Sequence, residues 1–277
     1  MNDSLRTITF IGGGNMAQAL IGGLIARGAV PRSLRVVETN DATRARLVER
    51  FGVDACASAD GALDGVAAVV LAVKPQLLRE VVCGVAATPG GFGAALVISI
   101  AAGIRARDIA RWAGSDRVVR CMPNTPALIA EGITGLAALP ACTPADRGLA
   151  DELLGAVGRT VWVDDETKLD AVTAISGSGP AYVFLFIEAL EAAGVQLGLG
   201  AAEARALAIQ TFAGGAQLAA RSDDSPAVLR ENVTSKGGTT FAALNVMRDK
   251  GVPEAIAAGA LAAAARSAEL GDEFGRD

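Results

Sequence analysis

Short apolar, β-branched runs alternate with helical periodicity through the first part of the chain. Beyond Asp164-Asp165 only the helical period persists. Residues 7–11 and 35–38 read as strands, and helical patterns follow them at 17–27 and 41–51. Residues 66–73 form a continuous apolar run, the pattern of a strand buried on both faces. Pro75 ends that run, and a helix is expected from about Leu77. Residues 95–100 and Val118–Met122 predict two further strands, separated by a helix near 105–112. Residues 133–138 and 160–163 extend the sheet at one edge. This βαβ alternation predicts a mostly parallel sheet with helices on both faces, whose ligands lie beyond the carboxyl ends of the strands.

The last third follows a different rule. Residues 181–197 are apolar on nearly every side, interrupted only by Glu188, Glu191 and Gln196, so the helix needs cover on most of its faces. Residues 253–269 are alanine-rich and suited to close helix packing. The economical reading is an all-α domain that buries itself against a second subunit. A monomer with an ordinary helical core is the alternative. The pattern divides the chain at residues 1–165 and 166–277.

Composition narrows the classes. At 277 residues there is room for two domains of the usual size, and 51% hydrophobic against 20% charged residues argues for a large core. A net charge of −5 without a basic run argues against nucleic acid as the main partner. The opening Met1-Asn-Asp-Ser-Leu-Arg6 lacks the charged and apolar regions of a leader. No charge-free apolar run reaches the roughly 18 to 20 residues of a membrane span. Cys56, Cys83, Cys121 and Cys142 are widely spaced and read as buried thiols of a reducing, cytoplasmic compartment, with no metal site. The chain has no histidine, which removes Ser-His and Cys-His catalysis and the commonest general acid/base.

The candidate chemistry begins at the first strand end. Gly12, Gly14 and Ala17 fit G-x-G-x-x-G/A, with Asn15 and Met16 completing the turn into the helix. Gly12 would allow the tight turn, Gly14 the approach of a pyrophosphate, and Ala17 close helix–strand packing. The bare N–H groups and positive dipole end of the helix would face the diphosphate. A glycine-rich βα turn without a ligand is the structural alternative. Glu38, at the end of the second strand, would hydrogen-bond a ribose 2′-OH and repel a 2′-phosphate. Arg44 and Arg46 could reach such a phosphate from the next helix, or could be solvated helix charges.

Three further strand ends carry small or proline-punctuated segments: Ala72-Val73-Lys74-Pro75, the segment from Ser99 through Ala101, Ala102 and Gly103, and Arg120 to Pro126 with Asn124. All are expected on the crevice of the glycine turn, although each taken singly reads as a plain βα loop. In the helical part, Ser178 is a candidate cap with Pro180 in the first turn. The run from Asn232 to Thr240 is more pointed. Glycines precede a helix over 240–250, so bare N–H groups of Gly238, Thr239 and Thr240 would hold a carboxylate. Lys236 adds charge there, and Ser235, Thr239 and Thr240 add hydroxyls. A capped helix start behind a flexible loop is the bland alternative.

Five motifs in order resemble those of the pyrroline-5-carboxylate reductase family: Ile11 to Ala17, Ala72 to Pro75, Met122 to Pro126, Ser176 to Tyr182 and Thr234 to Thr240. The resemblance covers essentially the whole chain. It implies a Rossmann domain followed by a helical dimerisation domain, and reduction of Δ1-pyrroline-5-carboxylate to L-proline with NADP(H) or NAD(H). It implies a homodimer, in the family often five dimers in a decamer, with cofactor and substrate loop able to come from different subunits. By resemblance Thr240 contacts the ring nitrogen, Ser235 is catalytic beside it, and the backbone at Gly237, Gly238 and Thr239 holds the carboxylate. Asn232 shapes the pocket, and Glu166 falls where the family has a substrate-side acid. Such chemistry suits a chain without histidine, because a protonated imine is already electrophilic and needs positioning more than a strong acid.

Two residues depart from the family. Lys236 stands where the family loop usually has proline, and Glu38 favours NADH where the family commonly uses NADPH. The other readings are a dehydrogenase for another small imino or hydroxy acid, and a non-catalytic dinucleotide sensor. The sensor has no need of the 235–240 loop.

Overall fold

The computed structural model describes residues 6–275. The segment from which a leader was judged absent therefore lies, apart from Arg6, outside the described residues. Eight strands form one sheet in the order β3-β2-β1-β4-β5-β6-β7-β8: β1 (Ile8–Ile11), β2 (Leu34–Val37), β3 (Asp54–Cys56), β4 (Ala68–Leu71), β5 (Leu96–Ser99), β6 (Val118–Met122), β7 (Gly132–Ala138) and β8 (Gly158–Trp162). All neighbouring pairs are parallel except β6 with β7. The first six follow the doubly wound dinucleotide-binding order, with β1 and β4 flanking the point where the winding reverses. The two strands expected at the edge are there, added beyond β6.

Side chains alternate across the pleat and supply two cores. Ile8, Phe10, Val36, Val70 and Ile98 face one layer of helices: α1 (Asn15–Ala26), α2 (Asp41–Phe51) and α5 (Pro144–Gly155). Ile11, Val37, Val69, Leu71 and Val97 face the other layer, α3 (Pro75–Ala86) and α4 (Ala106–Ala113). Both faces of the central strands are therefore apolar, as a continuously hydrophobic run requires. Pro75 opens α3 at its first position, where a missing N–H costs nothing.

The helix α5 starts on a capping box. Thr143 Oγ1 accepts the Asp146 N–H at 3.2 Å, and the Asp146 carboxylate accepts the Thr143 N–H at 2.8 Å. Arg117 Nη2 donates to the same carboxylate at 2.5 Å and holds the Asp146 carboxyl below the usual carboxylate range. A pKa depressed by folding contributes stability above the unfolded value and loses it as pH falls through the folded value. Asp146→Asn should therefore cost about 2 kcal/mol near neutral pH, with the gap to wild type closing in the acid range below the ordinary Asp pKa. Denaturant melts across pH check this; a gap independent of pH would show that the ion pair is not its source.

The described residues fall into two compact units: residues up to Gly177 together with those from Ala263 onward, and Ser178–Ala262. In the first unit, α6 (Lys168–Val172) runs into a π-helical turn, Thr173–Gly177. The second contains α7 (Gly179–Gln196), α8 (Ala201–Arg221), α9 (Pro226–Asn232), α10 (Thr239–Asp249) and the first part of α11 (Val252–Phe274). Helices α7 and α8 are packed together, with Gly194 against Ala204, Phe186 beside Phe212 at 6.1 Å and Arg205 paired to Glu191.

Several expectations are corrected. Ser178 occupies the N-cap position of α7, but its side chain makes no capping bond, because its backbone is already helical after the π turn. Cys83 is exposed and Cys56 half-buried; only Cys121 and Cys142 are buried thiols. Burial pushes the Cys121 thiol up, so it is no nucleophile. Apart from these corrections, residues 168–196, which run through α6, the π turn and α7, have the length and apolarity of a membrane span but carry Glu188 and Glu191, so their charge-free run is shorter than a span. Only 6% of their most apolar window is buried within the single chain.

Candidate active site

The glycine turn stands as read from the sequence, and the physical reasons are visible. Gly12 has φ +100°, and a Cβ there would lie 2.8 Å from the Ala72 carbonyl oxygen. Its N–H donates to the Val37 carbonyl at 2.8 Å, so the turn is stitched between β2 and β4. Gly14 differs. It begins α1 as an extended N-cap, and a Cβ there would meet nothing within 4 Å. No side chain caps α1, so its first N–H groups are bare. Packing within the protein does not explain glycine at this position, and the open space leaves the backbone approachable from the cleft side. Ala17 is fully buried in the core, as the third position of the fingerprint requires, and Met16 packs on the same core.

A cleft of about 580 Å³ opens here, lined by Gly12 to Gly14, Glu38, Thr39, Ser58 and Ala72 to Lys74 among others. Its chemistry and size suit a nicotinamide dinucleotide, with the diphosphate at the uncapped end of α1. Thr39 and Ser58 were missed by sequence reading; Ser58 follows a three-residue strand with no apolar run to announce it. Asn15 lies outside this lining, at the start of α1. Pro75, Ala101, Ala102, Gly103 and Asn124 do not line the cleft either.

Two of these residues have structural partners. Gly103 packs against Leu270 of α11. The Asn124 amide donates to the Ser176 carbonyl at 3.1 Å and accepts the Ile133 N–H at 2.9 Å, tying the ends of β6 and β7 to the π turn. Glu38 also has both oxygens engaged. Oε2 accepts the Gly13 N–H at 2.9 Å and Oε1 the Asn40 N–H at 2.9 Å. Arg44 donates to the Glu38 carbonyl at 2.6 Å and pairs with Asp41, while Arg46 donates to Thr43.

Glu166 sits in a polar cluster of the first unit. Its Oε1 accepts from Arg120 Nη1 at 2.9 Å and from the Ala106 N–H at 2.7 Å, at the N-terminus of α4. Asp170 joins through Arg120 Nη2 at 3.9 Å and accepts the Ser267 hydroxyl at 2.7 Å. Arg120 is 4% exposed and was not singled out by sequence reading, although a lone arginine inside the apolar run of β6 was its signal.

The loop between α9 and α10 is described within the second unit alone. Gly237 has φ +75°, and a Cβ on Gly238 would lie 2.5 Å from Ser235 Oγ. The chain thus folds tightly over Ser235 before α10 begins. The Gly238 N–H is not bare: it donates to the Ser235 carbonyl at 3.0 Å and closes the turn. The free donors lie one residue later, because no side chain caps α10 and the first internal bond of its N-terminus is Ala242 N–H to Gly238 O. Thr239, Thr240 and Phe241 therefore present N–H groups at a positive dipole end. Thr240 is half-buried; Asn232, Ser235, Lys236 and Thr239 are exposed.

A family model described as pyrroline-5-carboxylate reductase dimerisation matches residues 166–270, and one described as NADP oxidoreductase, coenzyme F420-dependent, matches residues 7–103. The pyrroline-5-carboxylate reductase of Pseudomonas aeruginosa is 44% identical over 274 residues, 99% of this chain and 100% of that one. The chain belongs to the pyrroline-5-carboxylate reductase family. Membership makes it an oxidoreductase that reduces pyrroline-5-carboxylate to proline. Among solved members of the family, the Coxiella burnetii enzyme superposes with a TM-score of 0.89 at 38% identity, covering 96% of this chain and 99% of that one. The Plasmodium falciparum enzyme, solved with NADP bound, gives 0.84 at 27% identity, covering 96% and 98%.

Proposed function

We propose that this reductase uses NADPH in preference to NADH, acts as a homodimer that assembles further into a decamer, and works in the cytoplasm. The cofactor preference is supported by the NADP-named match over 7–103 and by the NADP bound to the Plasmodium falciparum relative. The dimer is supported by apolar surface left uncovered in the helical unit: Phe184, Leu185, Leu218, Val246 and Leu261 are all more than half exposed. A patch of that kind marks a protein interface. We further assign residues 166–277 as the substrate-binding and dimerisation domain.

In the reaction, a hydride goes to the imine carbon and a proton is needed at nitrogen; the reduced nicotinamide supplies the hydride. The chain supplies position. Gly12, Gly14 and the N-terminus of α1 hold the diphosphate, with Lys74 at the cleft rim. Thr239, Thr240 and Phe241 present N–H groups to the substrate carboxylate, and Lys236 adds charge nearby. The substrate brings that proton on its ring nitrogen, so hydride addition completes the reduction; the Thr240 hydroxyl accepts from the ring N–H and orients the iminium, with Ser235 beside it. Asn232, at the end of α9, shapes the pocket. The single observation that carries the reading is the uncapped, glycine-preceded start of α10 in a chain with full-length reductase relatives.

Oxidation of NADPH and NADH, followed by nicotinamide absorbance with pyrroline-5-carboxylate, tests it. Faster turnover with NADPH is expected. Faster NADH turnover would overturn the preference, and cofactor binding without turnover on either would move the assignment to a dinucleotide sensor.

A further inference from the structure

We infer that Glu38 is a positioning residue that braces the glycine turn, and that it does not select between the two cofactors. The inference rests on the cofactor reading above. An acidic residue at the end of β2 is ordinarily expected to reach the ribose. Here the carboxylate is directed by the protein's own backbone. Oε2 takes the Gly13 N–H, the middle glycine of the turn, across 25 positions of sequence, and Oε1 takes the Asn40 N–H. Arg44 fixes the same residue from behind through its carbonyl. Gly13 is itself confined: a Cβ on it would lie 2.6 Å from Leu47 Cδ1 and 3.3 Å from Glu38 Oε2. The middle of the turn is thus pressed onto α2 and the carboxylate, while Gly14 keeps the open side. A charge-assisted bond to the turn orders the backbone that must meet the diphosphate, which is common to NADPH and NADH.

Glu38→Gln separates bracing from selection. Glutamine has the same length but one acceptor oxygen, so it can serve only one of the two N–H groups and turns a donor on the other. If Glu38 braces the turn, KM for NADPH and for NADH should both rise by about tenfold, with their ratio unchanged. The kcat at saturating cofactor and the KM for pyrroline-5-carboxylate should stay as in wild type. Calorimetric titration of the cofactor-free protein should show the same parallel loss. Amide exchange at residues 12–14, without cofactor, should be faster in the variant. A shift of the NADPH/NADH ratio by tenfold or more would overturn the inference, as would unchanged affinities for both. Failure of wild-type turnover with intact calorimetric binding would count against the reductase reading alone, because the bracing is read from affinity and exchange.

Discussion

Thr240→Ala should lower kcat for pyrroline-5-carboxylate by roughly 10²- to 10³-fold, the loss typical when one preorganised hydrogen-bond partner at the reacting centre is removed. The residue stands at the second position of α10, half-buried, and no hydrogen bond of its hydroxyl holds the helix start, which depends on Gly238 and the turn at Ser235. Alanine is also the better helix former. Stability should therefore stay within about 0.5 kcal/mol of wild type, and calorimetric affinity for NADPH should not change. Thr240→Ser keeps the hydroxyl and should keep most of the rate. Steady-state kinetics with both variants decide the matter: an unchanged kcat in Thr240→Ala removes the hydroxyl from the reaction, and an equal loss in both variants assigns the effect to packing of the methyl.

The second large effect separates two glycines of one motif. Gly12→Ala places a methyl 2.8 Å from the Ala72 carbonyl oxygen at a φ of +100° that side chains rarely adopt. Backbone strain of about 1–3 kcal/mol adds to a comparable clash, so the variant should melt well below wild type and lose cofactor affinity with it. Gly14→Ala has an ordinary φ of −68° and open space around the new methyl. It should melt as wild type does and still bind NADPH about a hundredfold less tightly, since the methyl occupies the approach of the diphosphate. Thermal melts with and without NADPH distinguish the two. Full NADPH protection of Gly14→Ala would place the diphosphate elsewhere.

Most of the architecture was legible along the chain because its determinants are local. The β-branched runs at β1, β4, β5 and β6 are buried on both faces and so read as continuous apolar segments. The strand β3 escaped because Asp54–Cys56 is a three-residue edge strand held by pairing to β2, with no periodicity of its own. Helix α7 was legible as a helix in need of cover, and its exposure in the single chain is the same fact seen from outside. The candidate site was legible as five motifs in order, since glycines at a strand–helix turn and before a helix have few other uses.

Hydrogen-bond destinations were not legible. The sequence by itself determined which residue types stand at the strand ends and helix starts, because turn geometry and burial select them from neighbours a few positions away. The tertiary structure decided which of those groups are free. It turned Glu38 onto Gly13, gave the Asn124 amide to Ile133 and Ser176, placed Glu166 between Arg120 and the start of α4, and closed the Gly238 N–H onto Ser235. A carboxylate or amide accepts from whatever donor folding brings within about 3 Å. For Asn124 and Glu166 that donor comes from another strand or helix, and for one Glu38 oxygen from the turn after β1, which no local pattern specifies.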